Sequence, residues 1–288
     1  MTIKTILVTA SGGRATGAAI DLACRLAHRF QAHLECYHVL LYMEAALTAL
    51  GEAAGLTATS AVIESMTADA QVRAEETRAL LDKILARYKI VREDGAQPSE
   101  GQVSACWREE SGYAPMLVAQ RARFFDLLVL GCSERVIGRP YTDTIETALV
   151  GSGRPLLLAS ADAPSTVGDT VAIAWNGSPE AVRALAASLP FMATARAVWL
   201  ITAGVADRDS AASAVEYLSW HGVRAQHRDL PDRPGRYVGR LLLDAAKSCG
   251  ADLLVMGGYG HARWREVIFG GATREAVRKM TMPLFMVH

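Results

Sequence analysis

Phe125-Asp-Leu-Leu-Val-Leu-Gly131 recurs 126 residues later, Gly257 against Gly131, as Ala251-Asp-Leu-Leu-Val-Met-Gly257. Each copy is an aspartate, an aliphatic run and a glycine. That pattern fits a strand buried on both faces and closed by a tight turn. Two further matches extend the repeat outward. Arg154-Pro-Leu-Leu-Leu-Ala159 pairs with Met282-Pro-Leu-Phe-Met-Val287, and Thr5-Ile-Leu-Val-Thr-Ala-Ser-Gly12 pairs with Thr170-Val-Ala-Ile-Ala-Trp-Asn-Gly177. The last offset is 165 residues, Thr170 against Thr5, so the first copy holds roughly 40 extra residues. A period this long means duplicated domains rather than a short-repeat solenoid.

Between the aliphatic runs the pattern turns helical. Ala19, Ala23, Leu26, Ala27 and Phe30 share one helix face, and Pro179 after Ser178 reads as a capped helix start running through Leu189. Tyr237–Ser248 is a further helix leading into a strand. Strand–helix alternation requires crossovers and gives parallel sheets covered by helices on both faces. The expected class is therefore α/β, two tandem doubly wound parallel-sheet (Rossmann-like) domains, at 1–163 and 164–288. The extra length falls around Leu40–Ile90. Its later part, Thr67–Tyr88, predicts one long amphipathic helix, while Ala45–Ser65 reads as an ordinary packing helix, with a cover over a site or a subunit contact as the alternatives. The turn-rich Ala161–Gly168 is the expected join.

Composition limits what such domains can do. In 288 residues, 51% are hydrophobic and 21% charged, enough for two cores and too apolar for global disorder. Thirty Lys+Arg balance thirty Asp+Glu, which removes the net charge that would drive broad nucleic-acid or anionic-membrane binding. Ala45–Ile63 is too interrupted by Glu52 and glycines to span a bilayer. Five scattered cysteines form no Cys-x-x-Cys pair, so a reduced, cytoplasmic protein without a structural zinc is expected.

Ligands of open α/β sheets bind beyond the carboxyl ends of strands. In the second copy those ends are Asn176-Gly177-Ser178, Thr202-Ala203-Gly204 and Gly257-Gly258-Tyr259-Gly260, followed by Gly270-Gly271-Ala272-Thr273 at a helix start. Glycines let a ligand approach backbone N–H groups, and a helix start offers unpaired donors to an anion. Tight turns and close helix packing are the alternative reading of the same glycines. Elsewhere His33, Glu35, Cys36 and His38 cluster on one strand, but alternation puts the first two on one face and the last two on the other. No metal set, nucleophile–base pair or carboxylate pair emerges.

The spacing Gly257-x-x-Gly260, nine residues, then Gly270, together with Ala174-Trp-Asn-Gly-Ser178 and Asp252-Leu-Leu-Val-Met-Gly257, resembles the universal stress protein family in tandem form. The resemblance covers both copies. It implies an adenine-nucleotide site, for ATP or a relative with Mg²⁺ as its companion ion, in the second domain. Ala174, Asn176 and Ala203 would lie near base and ribose. Met256 opens the signature and belongs to the same site; Gly257 and Gly260 would face ribose and phosphates, with Gly270, Gly271 and Ala272 closing on the phosphate chain. Two positions depart from the family pattern. Asn176 stands where an acid is usual, and Gly271 where a hydroxyl residue is.

In the first copy Gly131-Cys132-Ser133-Glu134 lacks the second glycine and sets an acid where a phosphate would go, so this domain is expected to be degenerate. The resemblance further implies a stress-response module rather than an enzyme, a slow Mg²⁺-dependent ATPase being the catalytic alternative. A protein acting through protein contacts alone is the other. The apolar last strands, Leu156–Ala159 and Leu284–Val287, should pair the two domains as a pseudo-dimer, with homodimerisation of whole chains a further option.

Overall fold

In the computed structural model of the protein the repeated aspartate has the same role in both copies. Asp126 Oδ2 accepts from the backbone N–H groups of Lys4 (2.8 Å) and Thr5 (3.0 Å) and from the Thr5 hydroxyl. Asp252 accepts from the N–H groups of Gly168 (2.9 Å), Asp169 (3.2 Å) and Thr170 (3.0 Å). Each carboxylate thus fixes the start of its copy's first strand beside the strand it precedes. The structure describes residues 2–11, 14–41, 60–93, 102–132, 139–160, 166–203, 208–231, 238–258 and 271–288. They fall into two compact units, one built mainly on Lys4–Gly131 with Gly138–Ser152, the other on Gly153–His288.

The N-terminal unit contains β1 (Thr5–Thr9), α1 (Arg14–Phe30), β2 (His33–Leu41), α2 (Ser60–Tyr88), β3 (Val91–Arg92), β4 (Ser104–Gly112), α3 (Ala114–Ala122), β5 (Leu127–Cys132) and α4 (Arg139–Gly151). Its strands run β3-β4-β2-β1-β5, all parallel. The helix expected at Thr67–Tyr88 starts earlier, at Ser60, and its buried residues Ala70, Ala74, Thr77, Leu81, Ile84 and Leu85 form one stripe at helical spacing. The segment from 45 to 59, whose state the sequence left open, lies outside the described residues.

The C-terminal unit contains β6 (Leu156–Ser160), β7 (Thr170–Trp175), α5 (Pro179–Met192), β8 (Ala197–Ala203), α6 (Arg208–Trp220), β9 (Ala225–Leu230), α7 (Val238–Ser248), β10 (Leu253–Gly257), α8 (Gly271–Lys279) and β11 (Leu284–Val287). The strands run β6-β11-β10-β7-β8-β9. All neighbours are parallel except β6 with β11, which pair antiparallel with Leu157 opposite Phe285. The last strand of the first sequence copy therefore closes the apolar edge that β11 would otherwise present. Ser178 caps α5 as its sequence position predicts, its Oγ accepting from Ala181 N–H at 3.2 Å, with Pro179 in the first turn.

Parallel register assigns the faces, because opposed residues share a side. Val255 lies opposite both Ile173 and Phe285, and Phe285 meets Phe191 of α5 edge-on at 5.6 Å, so these odd-numbered positions face α5. Trp175 Nε1 donates to Ser210 Oγ, which puts α6 on that side too. On the other side Arg228 reaches Ser248 Oγ at the end of α7, and α8 packs beside α7. Helices thus cover both faces. Among the described residues, no helix is long and apolar enough to cross a membrane.

Candidate functional site

The chain leaves β7 on one side and β10 on the other of the same sheet, and it is beyond the carboxyl ends of strands at such a reversal that open α/β sheets bind ligands. Ala174 and Met256, both named from sequence, are direct partners across β7 and β10, and both are buried. Ala203 ends β8 on the same face, since Ala174 pairs with Ile201. All three side chains are on the side of α7 and α8. Gly271, another expected site residue, is the first residue of α8, with Ala272 next to it. Two alanines, a methionine and the start of a helix thus share one side of the switch point.

Other expected residues occupy different surroundings. Asn176 is exposed, and its Oδ1 accepts from Ser178 N–H at 3.1 Å, an Asx turn that leads into α5. Gly177 has φ +70, and a Cβ there would meet Ser210 Oγ at 3.0 Å. Gly257 ends β10 facing α5. A Cβ on it would lie 2.6 Å from the Ala181 nitrogen and 2.8 Å from Glu180 Cβ. Its missing side chain is what lets α5 approach. Gly258 donates its N–H to Val287 O at 2.8 Å, and its own carbonyl meets His288 Nδ1 at 3.2 Å. Gly260 and Gly270 lie outside the described residues.

The first turn of α5, a natural anion site, carries an acid of the chain itself. Burial raises the Glu180 carboxyl, but its own backbone N–H, the Arg183 guanidinium and Ser178 outweigh that and hold it below its ordinary value. Arg183 Nη2 lies 2.8 Å from Glu180 Oε1, while its Nε donates to His288 O. Across the sheet the buried Thr202 hydroxyl donates to Asp229 Oδ1 at 2.9 Å and meets His227 Nε2 at 3.0 Å. Sequence patterning gave no sign of this last trio, because Thr202 of β8 meets His227 and Asp229 of β9 across 25 and 27 residues.

In the N-terminal unit the alternation expected for His33, Glu35, Cys36 and His38 holds. His38 is buried, bonded through Nδ1 to Ala10 O and stacked on Trp107, with ring centroids 5.5 Å apart. Glu35, buried on the opposite face, takes a two-point contact from Arg121 at 2.7 and 2.6 Å. Among the described residues no three His, Cys, Asp or Glu side chains form a group able to hold a metal ion.

Solved structures give the wider context. A universal stress protein from Archaeoglobus fulgidus DSM 4304 superposes with TM-score 0.70 over 98% of this chain and 97% of that one, at 13% identity. The chain has the universal stress protein fold. A putative universal stress protein from Pseudomonas aeruginosa UCBPP-PA14 shares that fold with TM-score 0.60, 12% identity and coverage of 99% and 93%. A functionally unknown protein from Pseudomonas aeruginosa PAO1 also has it (TM-score 0.58, 14% identity, coverage of 99% and 92%). No family model and no curated protein matches the chain. The universal stress protein fold is thus retained at sequence identities where residue-level roles do not transfer.

Proposed function

We propose that the chain is a stress-response module whose C-terminal unit binds ATP or a related adenine nucleotide, with Mg²⁺ as counter-ion, at the β7–β10 switch point. The observation that carries this reading is the convergence of Ala174, Met256 and Ala203 with the N-terminus of α8 on one sheet face. A purine ring needs small apolar neighbours, and phosphates need unpaired N–H donors at a helix start. Gly271 and Ala272 would supply those donors, with Gly260 and Gly270 beside them. Asn176 would offer an amide to a ribose hydroxyl after exchanging its bond to Ser178. Gly257 would support the site from behind, by letting α5 close on the sheet.

Binding would shift a pre-existing conformational balance and so report on nucleotide level. Titration calorimetry of nucleotide-stripped protein with Mg-ATP tests the reading. Micromolar binding, abolished by Ala174→Leu with the fold retained by circular dichroism, is the expected outcome. No heat at high micromolar ATP overturns it. A second reading, a stress protein acting through protein contacts, is favoured by the absence of a carboxylate at Asn176, whose side-chain oxygen accepts from Ser178 N–H. Mass spectrometry of small molecules released from the protein as purified separates the two.

A further inference from the structure

At the opposite end of the N-terminal unit's sheet, where β2 and β4 begin, three strands bring a cysteine, a histidine and two carboxylates together. His33 of β2 lies opposite Ser104 of β4, and Glu35 lies opposite Cys106. Cys106 Sγ is 3.5 Å from His33 Nε2 and 3.9 Å from Glu35 Oε2. The other imidazole nitrogen, Nδ1, lies 2.8 Å from the buried Ser104 hydroxyl. Arg121 of α3 forks onto Glu35, and Arg108 Nε approaches the same carboxylate at 3.3 Å. Glu93 follows β3, its N–H bonded to Ala105 O, and its buried Oε2 has no hydrogen-bond partner. Tyr37, further along β2, bonds Glu110 and so leaves Glu35 to the arginines.

We propose that Cys106 is a thiol modification site for hydroperoxides, with His33 as its base. The reactive species of a cysteine is the thiolate, and a neighbouring imidazole and guanidinium groups favour it. Arg121 and Arg108 together offset the carboxylate of Glu35 and set guanidinium charge beside the sulfur. Burial holds His33 below its ordinary value against the opposing pull of Glu35 and Glu93, so the imidazole starts neutral, and it is the contact of Nε2 with Cys106 Sγ that lets it take the proton. The Cys106 proton passes to Nε2. In the imidazolium so formed, Nδ1–H has Ser104 Oγ to donate to, Nε2–H has the thiolate, and Glu35 and Glu93 offset its charge. The thiolate then attacks one peroxide oxygen and the O–O bond breaks. Sulfur becomes a sulfenic acid, losing two electrons, and the leaving oxygen takes the proton from His33 to depart as water or an alcohol.

The molecule contains its own controls. None of the five cysteines is in a disulfide, and only Cys106 and Cys249 are partly exposed. Cys249 has a guanidinium, Arg228 Nη1 at 3.1 Å, but sits at the carboxyl end of α7, where the helix dipole opposes a thiolate. Burial raises the thiols of Cys24, to about 12, and Cys132, to about 11. Cys36 is raised as well, burial again leading, and is fully enclosed.

The test is a pulse of hydrogen peroxide on the full chain, dimedone trapping and peptide mass mapping. Cys106 should be labelled at least about tenfold faster than Cys249, as a shift from a few per cent thiolate toward full ionisation requires. His33→Gln should slow Cys106 by about tenfold while leaving Cys249 unchanged. Equal rates at the two cysteines, or a His33→Gln variant as fast as the parent, overturn the proposal. Should that variant misfold, alkylation of Cys106 by iodoacetamide in the unaltered chain decides instead. A half-rise in rate well below the ordinary thiol value of about 8.5 supports the pair, and one at or above it overturns the pair.

Discussion

The two units share their supports and differ at their strand ends. Asp126 and Asp252 tether the first strand of each sequence copy in the same way, and Gly131 and Gly257 admit the helix that follows it in the same way. Beyond these, the carboxyl ends diverge. Where the C-terminal unit has Ala174, the matching position of the N-terminal unit is Thr9. Where it has Ile201, the N-terminal unit has Tyr37, fully buried and bonded to Glu110. The C-terminal unit has an alanine and an isoleucine here, and the N-terminal unit a threonine and a bulkier tyrosine. The residues that repeat are those that backbone geometry demands, and the residues that vary lie at the carboxyl ends of the strands.

The strongest way to break this comparison is at the glycines. A Cβ at Gly131 collides with the Ala15 carbonyl, and one at Gly257 with the Glu180–Ala181 backbone. Neither neighbour is a flexible side-chain tip, so the helix itself must shift. Gly131→Ala and Gly257→Ala should each cost about 2–3 kcal/mol in urea unfolding, with Gly131→Ala the more severe. Losses under about 0.5 kcal/mol at both positions would mean that the shared glycine reflects something other than close helix approach.

The aspartates come next. Asp252 is buried and holds three N–H groups, whereas Asp126 is more open. Asp252→Ala leaves those donors without their acceptor and should cost about 2 kcal/mol, with Asp126→Ala nearer 1 kcal/mol because water can replace part of what is lost. Urea titration followed by tryptophan fluorescence measures both. An equal cost for the two would show that burial does not set the size of this contribution.

These supports were legible in sequence because each is local or repeats. The aspartate and glycine recur at a fixed period, Ser178 announces a helix start, and strand alternation separated His33 and Glu35 from Cys36 and His38. The fold class followed from the same signals. What stayed hidden is long-range and unrepeated. Glu35 meets Arg121 of α3 across 86 residues, and His33 meets Ser104 and Cys106 across 71 and 73. A single glutamate on a strand gives no hint of which element supplies its arginine. The glycines of the presumed nucleotide motif were legible as glycines only. The spacing that marks Gly257 cannot tell a phosphate contact from a helix contact, and its would-be Cβ faces α5.

The smallest expected effect lies where the first helices differ. The first turn of α1 has no acid, whereas that of α5 has Glu180. Its carboxyl is held below the ordinary value of 4.5 in the folded chain, by its own N–H, Arg183 and Ser178 against the upward pull of burial. A group lowered by folding adds stability above its unfolded value, and that addition disappears as pH falls through the folded value. Glu180→Gln should therefore lower the urea midpoint at pH 7, by less than either aspartate change, and the gap to the parent should close as pH drops below about 4.5. α1 offers no counterpart, so hydrogen exchange at pH 7 and pH 4 should show the loss of protection in α5 amides and not in α1. A gap that persists unchanged into acid would mean that Glu180 acts through packing rather than charge. In that case the helix dipole at the start of α5 would not be what distinguishes it from α1.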